Sequence, residues 1–392
     1  MFVCIAGKND IAVAVLDYLV RLGGNYKLGI VCNKTETGIN GFQRSLRLYA
    51  EQNSIKEYQL EAMYEIEDLL FFSLEYDRLI RPNLFRSNRL FNIHFSKLPQ
   101  YKGMYTSAIP ILNSEETVGV TLHRIDYGID TGDIIAQEDF RIDGMTCREV
   151  YFSYIKYGTE LVLKNMEDIL AGKEISYPQA STGSSYYSKK ALDYSNIMID
   201  LNQTADGIER QIRAFTFREY QLPEIMGRKV FHARITNIRS TQKSGTVLLE
   251  NKTSCMMATV DYNIVFYFDR FDELLAACKT GNLQQVQEIC LLKKYLNEKN
   301  EYGWSPLIVA TYANRIDVVK YLIVNGADIY ATNSNGTNLL MYAKEAYKKY
   351  GDNTLFKLYL KLGLSVGQKD YYGYDVMYYL IKEGISLDEV SK

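Results

Sequence analysis

The chain contains three histidines, His94, His123 and His232, so histidine chemistry has few places to sit. His94 lies in FNIHFSKLP, residues 91–99, the densest polar grouping within an otherwise apolar framework. Asn92 and His94 stand two apart in an expected strand, which sends both side chains off one face. Downstream, GIDTGD at 128–133 reads as a tight turn able to lift Asp130 beside an imidazole. Amide, imidazole and carboxylate together suit acyl transfer to an amine. The amide donates to a developing oxyanion, the histidine moves protons, and the carboxylate holds and biases the histidine. The same residues also have a plainer reading: a histidine satisfied by its own core contacts, and an aspartate making local turn hydrogen bonds. Spacing alone leaves both open. His123, near this segment, and His232, in a strand, are given no chemical role.

The elements that must position these residues read as alternating strand and helix. Phe2–Ala6 is an apolar run closed by Gly7, then a helical pattern runs through Ile11, Val15, Leu16, Leu19 and Val20 to Gly23-Gly24. Further apolar runs cover Leu28–Cys32, Leu69–Leu74 and Leu90–Phe95. Such runs, separated by helix-length segments, predict an open, mostly parallel α/β sheet buried on both faces. Ligands then belong at the carboxyl ends of its strands. Lys8 and Asn9, at the start of the first helix, suit an anionic phosphate; solvation is the alternative for Lys8. A long helix is expected at Cys147–Leu170, and the Ser-rich stretch Ser176–Ser188 reads as an exposed connector. Beyond it, one helix (Ala205–Phe215) and several short strands suggest a small, mostly-β subdomain. The expected domains are 1–185, 186–269 and 270–392.

The last domain carries an internal repeat. Gly303-Trp-Ser-Pro-Leu recurs as Gly336-Thr-Asn-Leu-Leu after 33 residues and as Gly373-Tyr-Asp-Val-Met after 37 more. The four extra residues fall near Lys348–Asn353. This period, with VVKYLIVNGADI, resembles ankyrin repeats, and Ala276–Cys290 resembles a degenerate capping repeat. That implies an all-α module whose units bury their faces only against neighbours.

Composition narrows the function classes. The 392-residue chain carries 45 basic and 47 acidic side chains, which argues against nucleic-acid binding by bulk charge. Six scattered cysteines without a C-x-x-C pair, and so few histidines, give no metal-site spacing. MFVCIAGKND is not a basic leader followed by a cleavable apolar segment, and no apolar run reaches a membrane-spanning length. The expectation is a cytoplasmic protein with reduced thiols, no metal, no membrane and no nucleic-acid partner.

F-N-I-H-x-S-x-L-P-x-Y-x-G followed by G-V-T-x-H-x-x-D-x-G-I-D-T-G-D-I-I resembles the signature of the folate-dependent formyltransferases. The resemblance spans roughly residues 1–268 and implies a Rossmann-like catalytic domain. It implies that Asn92, His94 and Asp130 are the catalytic trio and 10-formyltetrahydrofolate the donor. The pterin would lie between the loops around Phe72–Leu84 and Ile125–Asp133, at Phe72, Leu74, Arg81, Pro82, Leu84, Ile125, Tyr127 and Asp133. Lys97 departs from the Leu that many relatives carry at that loop position. Asn92 and His94 would stabilise the oxyanion as the amine attacks, and His94 with Asp130 would relay the proton.

KLPQYKGMYTSAIPIL, SSYYSKK and IRAFTFREYQLPEIMGRKV are most similar to bacterial sugar-nucleotide formyltransferases. This implies a dTDP-amino-dideoxyhexose acceptor, the 3-amino isomer favoured over the 4-amino, serving O-antigen and lipopolysaccharide sugar synthesis. Lys8, Asn9 and Arg78 would meet the pyrophosphate, and Met104, Tyr105, Tyr187, Phe217 and Tyr220 the sugar or base. The alternatives are a methionyl-tRNA or glycinamide ribonucleotide formyltransferase, or an ankyrin adaptor with an incidental formyltransferase domain. The family often dimerises, so a homodimer is expected. In the repeats, Tyr302, Trp304, Tyr312 and Tyr342 form an aromatic face that could stack a regulatory ligand or merely pack between repeats, and a protein partner is the other possibility.

Overall fold

The computed structural model describes residues 1–391; Lys392, the end of the expected third domain, lies outside the described residues. The chain divides into two compact units. One comprises Met1–Ile39 and Ser45–Asp269, the other Asn40–Arg44 and Arg270–Lys392.

The first unit opens with β1 (Phe2–Gly7), α1 (Asn9–Leu22), β2 (Lys27–Cys32), α2 (Leu46–Gln52), β3 (Lys56–Glu57), β4 (Leu69–Leu74) and β5 (Leu90–His94). After β6 (Lys102–Gly103) and α3 (Ile109–Leu112) come β7 (Thr117–Arg124), β8 (Ile134–Arg141), α4 (Cys147–Ala171) and β9 (Tyr186–Tyr187). Seven strands form one sheet in the order β3-β2-β1-β4-β5-β7-β8. The strands from β3 to β5 are parallel, whereas β7 and β8 run antiparallel. β4 is buried along its whole length, as a strand covered on both faces must be.

The chain leaves β1 in both directions across the sheet, so its end and that of β4 flank a topological switch point, where α/β sheets bind ligands. Gly7 lets the two ends meet: a Cβ there would sit 1.8 Å from the Leu74 carbonyl oxygen. α4 starts at a Thr146–Glu149 capping box and ends at Gly172 in the left-handed region. It packs against α1 and β7. From it, Tyr154 stacks on Phe95 at 5.3 Å and donates to the Thr106 carbonyl, making a rigid floor beneath the end of β5.

The Ser176–Ser188 stretch is more anchored than its composition suggests. Tyr177 exchanges backbone hydrogen bonds with Ile134, and β9 pairs with β6. Many of its side chains face solvent while its backbone is held, a distinction composition does not carry. The rest of the unit is α5 (Ala205–Phe215) with β10 (Glu224–Ile225), β11 (Arg228–Arg239), β12 (Val247–Glu250), β13 (Ser254–Met257) and β14 (Tyr262–Phe268). These five strands form an antiparallel sheet in the order β10-β11-β14-β13-β12.

The second unit is helical: α6 (Phe271–Thr280), α7 (Leu283–Ile289), α8 (Pro306–Tyr312), α9 (Ile316–Val324), α10 (Leu339–Tyr350), α11 (Thr354–Lys361), α12 (Val376–Lys382) and α13 (Leu387–Ser391). The repeat is a repeated turn. Asn300, Asn333 and Asp370 each accept two backbone N–H groups through Oδ1, from the residues two and four further on. Ser305, Asn338 and Asp375 then cap α8, α10 and α12. Phe356 and Tyr359, both fully buried on α11, sit in the core of this stack. Phe356→Ala is expected to destabilise the repeat unit by about 3–5 kcal/mol, read as a lowered denaturant midpoint.

Candidate active site

β5 and β7 bring the polar residues together. Asn92 and His123 are directly paired across the antiparallel ladder. Their side chains meet, with Asn92 Nδ2 3.0 Å from His123 Nε2. His123 Nδ1 lies 2.8 Å from the Arg124 carbonyl oxygen, which can only accept. Nδ1 therefore carries the hydrogen, Nε2 offers a lone pair, and Asn92 Nδ2 donates to it. This fixes the carboxamide's orientation and leaves its second N–H for a ligand. His123 is 2% exposed, and burial pushes its pKa well below the ordinary histidine value, so the ring is neutral.

His94 Nε2 lies 2.9 Å from the Tyr101 carbonyl oxygen and donates to it. The other nitrogen, Nδ1, faces Asp130 Oδ1 at 3.5 Å. Nδ1 is thus the ring nitrogen left to face the carboxylate. Asp130 is itself held from several sides. Its φ of 54° is left-handed, Oδ2 accepts from the Gly103 N–H, and Oδ1 lies 3.8 Å from His123. Gln179 Nε2 donates to the carbonyls of Asp130 and Gly132, at 2.8 and 2.9 Å. Gly132 has no alternative, because a Cβ there would fall 1.9 Å from the Arg124 oxygen.

These groups open into a cavity of about 470 Å³. Asn92, His94 and Asp130 line it, as do Arg78, Met104 and Ile125. The other residues expected at the folate stand elsewhere. Phe72 and Leu74 are fully buried in the core, while the neighbouring positions Ser73 and Glu75 line the cavity. Arg81, Pro82, Leu84, Tyr127 and Asp133 are not part of the wall, which takes Leu79 and Ile80 instead. A strand buried on both faces hides which parity faces a ligand.

Among the expected substrate residues, Asn9 Nδ2 is committed to Glu75 and Tyr151, and Arg78 pairs with Glu61 at 2.8 Å. Tyr105 donates to the Lys189 carbonyl, and Tyr187 stacks on Tyr101 at 5.6 Å. Phe217 is buried between Tyr151 and Tyr220, and Tyr220 itself is exposed. Lys8 precedes α1 at the switch point. In the repeat unit, Trp304 meets Tyr312 and Tyr342 edge-on at 5.4 Å each, whereas Tyr302 is exposed. Tyr342 is buried and accepts from Asn333 Nδ2.

Three residues that the sequence pattern does not single out stand at this site: His123 and Glu75 line the cavity, and Gln179 holds the turn that carries Asp130. The signal for His123 is the G-V-T-L-H strand, but only the antiparallel register shows that it meets Asn92. Asn92→Ala, His94→Asn and Asp130→Asn are each expected to lower kcat by at least about 100-fold with the far-UV circular dichroism unchanged. His123 also gives stability a pH dependence. Its depressed folded pKa means the unfolded chain binds an extra proton as pH falls below about 6.5, so stability drops from pH 7 to pH 5. The contribution is about 1–2 kcal/mol, absent in His123→Gln, and urea midpoints of both proteins at the two pH values read it.

Residues 38–156 match the formyl transferase family, and residues 274–370 match ankyrin repeats in three copies. Methionyl-tRNA formyltransferase of Fervidobacterium nodosum is 25% identical over 229 residues, covering 55% of this chain and 71% of that protein. Among solved structures, the sugar 3N-formyl transferase WlaRD, studied with dTDP and 5-N-formyl-THF, is 41% identical. The match covers 68% of this chain and 97% of WlaRD, with a TM-score of 0.63. The N-formyltransferase of Helicobacter canadensis, in complex with folinic acid and dTDP-3-aminofucose, is 40% identical, covers 68% and 99%, and has the same TM-score of 0.63. Identity at that level over nearly the full length of two sugar-directed enzymes, with the trio assembled around one cavity, shows that the chain belongs to the sugar N-formyltransferases and carries ankyrin repeats beyond their shared region.

Proposed function

We propose that the enzyme formylates the 3-amino group of a dTDP-linked 3-amino-3,6-dideoxyhexose, with 10-formyltetrahydrofolate as donor. The observation that carries this reading is the Asn92, His94 and Asp130 group converging on one cavity. The acceptor is supported by WlaRD, a 3N-enzyme, and by the Helicobacter canadensis enzyme bound to a dTDP-3-amino sugar. The cavity suits a folate: apolar Leu79, Ile80, Ile125 and Ile129 offer a flat heterocycle a wall, and the trio lies in the same space. When bound, the folate supplies an activated formyl group.

The residues of the chain do the rest. The second N–H of Asn92 donates to the formyl oxygen as negative charge develops there. His94 takes a proton from the attacking amine at Nδ1 and passes it to the donor nitrogen as the bond from that nitrogen to the formyl carbon breaks, and Asp130 stabilises the imidazolium between the two transfers. Lys8 and the start of α1 supply positive potential for the pyrophosphate, and Met104 borders the sugar. The product, a nucleotide-linked formamido sugar, is a building block for a glycan such as O-antigen.

A binding role for the repeats is supported by Trp304, which is only partly buried among Tyr312 and Tyr342. Either a small regulatory ligand or a protein partner would use that face. Trp304 is the single tryptophan of the chain, so its fluorescence reports on this face alone. Quenching by the dTDP-amino sugar supports the ligand, and an unchanged spectrum favours the partner.

Turnover with a panel of acceptors tests the main reading. The dTDP-3-amino sugar is expected to have at least a roughly 100-fold higher kcat/KM than the 4-amino isomer, an energy difference of about 3 kcal/mol in transition-state binding. Activity confined to methionyl-tRNA or glycinamide ribonucleotide would sink it.

A further inference from the structure

Glu75 immediately follows β4, whose last residue, Leu74, is paired with Gly7 of β1 and Ile93 of β5. Lys8 follows β1 as Glu75 follows β4, and the Lys8 N–H donates to the Leu74 carbonyl at 3.3 Å, while His94 ends β5 on the other side of β4. Glu75 therefore stands at the switch point, on the strand beside the one that carries Asn92 and His94, and it lines the same cavity.

Its carboxylate is fixed and has no cation partner. Oε2 accepts from Asn9 Nδ2 at 3.1 Å, and Oε1 accepts from the Tyr151 hydroxyl at 2.7 Å. Both donors are neutral, and among the described residues no ion pair engages it. The backbone is held as firmly: φ is 57°, and Asn33 Nδ2 donates to the Glu75 carbonyl. A non-glycine residue in the left-handed region costs free energy and persists where the surroundings impose it, often at functional sites. Each carboxylate oxygen can accept two hydrogen bonds, so capacity remains on both.

We propose that Glu75 receives the acceptor's amine, binding it as the ammonium ion and taking one proton from it to release the nucleophile. This rests on the reading of the substrate as an amino sugar. In the step an N–H bond breaks, an O–H bond forms on Glu75, and the electron pair stays on nitrogen. R–NH3⁺ and the carboxylate become R–NH2 and the carboxylic acid, and Glu75 later loses its proton to solvent. His94 then handles only the second proton, which the nitrogen sheds after it attacks. Two protons leave the nitrogen, and two bases stand on neighbouring strands to take them.

The electrostatic setting agrees. Burial pushes the Glu75 carboxyl above the usual carboxylate range, opposed by the hydrogen bonds from Tyr151 and Asn9. Lys8 and Asp10 act on it from the α1 side with opposite signs. Tyr151 faces it from α4, Tyr220 lies near it on the loop after α5, and His94 stands on β5. A carboxylate made more basic in this way is a better proton acceptor near neutral pH.

Glu75→Gln keeps the shape and removes the base. With the full-length protein and a dTDP-3-amino sugar, its kcat/KM is expected to fall about 100-fold at pH 7. It should recover as the pH approaches the pKa of the substrate amine, where the nucleophile is already free. Glu75→Asp should restore part of the rate at pH 7, and thermal melts establish that both variants fold. A deficit in Glu75→Gln that is the same at every pH, or no deficit, overturns the role of Glu75. Calorimetry with the amino sugar and its hydroxyl analogue gives a second readout: wild type should prefer the amine, and Glu75→Gln should lose that preference. Wild type that neither binds nor formylates any amino sugar overturns the substrate reading and this assignment with it. Wild type that does so, matched by Glu75→Gln, overturns this assignment alone.

Discussion

The site depends on one neutral imidazole. His123 is locked by the carbonyl beside it, so its other nitrogen can only accept, and Asn92 has a single orientation available. Everything downstream uses that orientation. The free N–H of Asn92 is a donor because its partner is an acceptor, and the partner is an acceptor because burial keeps the ring uncharged. The geometry needs β7 antiparallel to β5, because that ladder sets Asn92 directly opposite His123. A parallel neighbour would set the pair on a slant. The change of strand direction within the sheet is thus a requirement of this pairing as well as a topological detail.

Asp130 shows the complementary problem, that of holding a charge without a rigid element beneath it. It sits in a turn, in a left-handed conformation, and four separate segments surround it, those of Gly103, Gln179, His94 and His123. Gln179 binds two carbonyls of the turn with one amide nitrogen. Loops place catalytic groups well when their backbone hydrogen bonds are spoken for, and here a distant connector supplies them.

Much of this is legible in the amino-acid sequence alone. The strand bearing Asn92 and His94, the turn bearing Asp130 and the helix Ala205–Phe215 follow from periodicity and turn residues, because those signals are local. The trio can be named because its motif is contiguous within about forty residues. His123 cannot be recognised that way, since its role comes from strand register, and Gln179 cannot, since its partners lie 47 and 49 residues away. The cavity wall departs by one position from the expectation at Phe72 and Leu74, because a doubly buried strand shows no alternation. The repeats are visible through their glycines, yet the Asx turns at Asn300, Asn333 and Asp370 are what space the fingers. Side chains hydrogen-bonding two and four residues ahead are equally local, so that signal is present in N-x-x-G at the first two turns and D-x-x-G at the third.

The strand arrangement also bears on how such enzymes diverge. Asn92 and His94 stand on β5, His123 on β7 and Asp130 in the turn after it, whereas the switch point at the ends of β1 and β4 is built from other stretches of chain, around Lys8 and Glu75. Substitutions at one strand end can drift without disturbing hydrogen bonds made on another. A lineage could therefore change its amine while inheriting its chemistry intact, which fits a family whose members include tRNA-directed and sugar-directed enzymes on one signature. In evolutionary terms the sheet works as a partition, with the two sets of residues held on the ends of neighbouring strands and free to change separately.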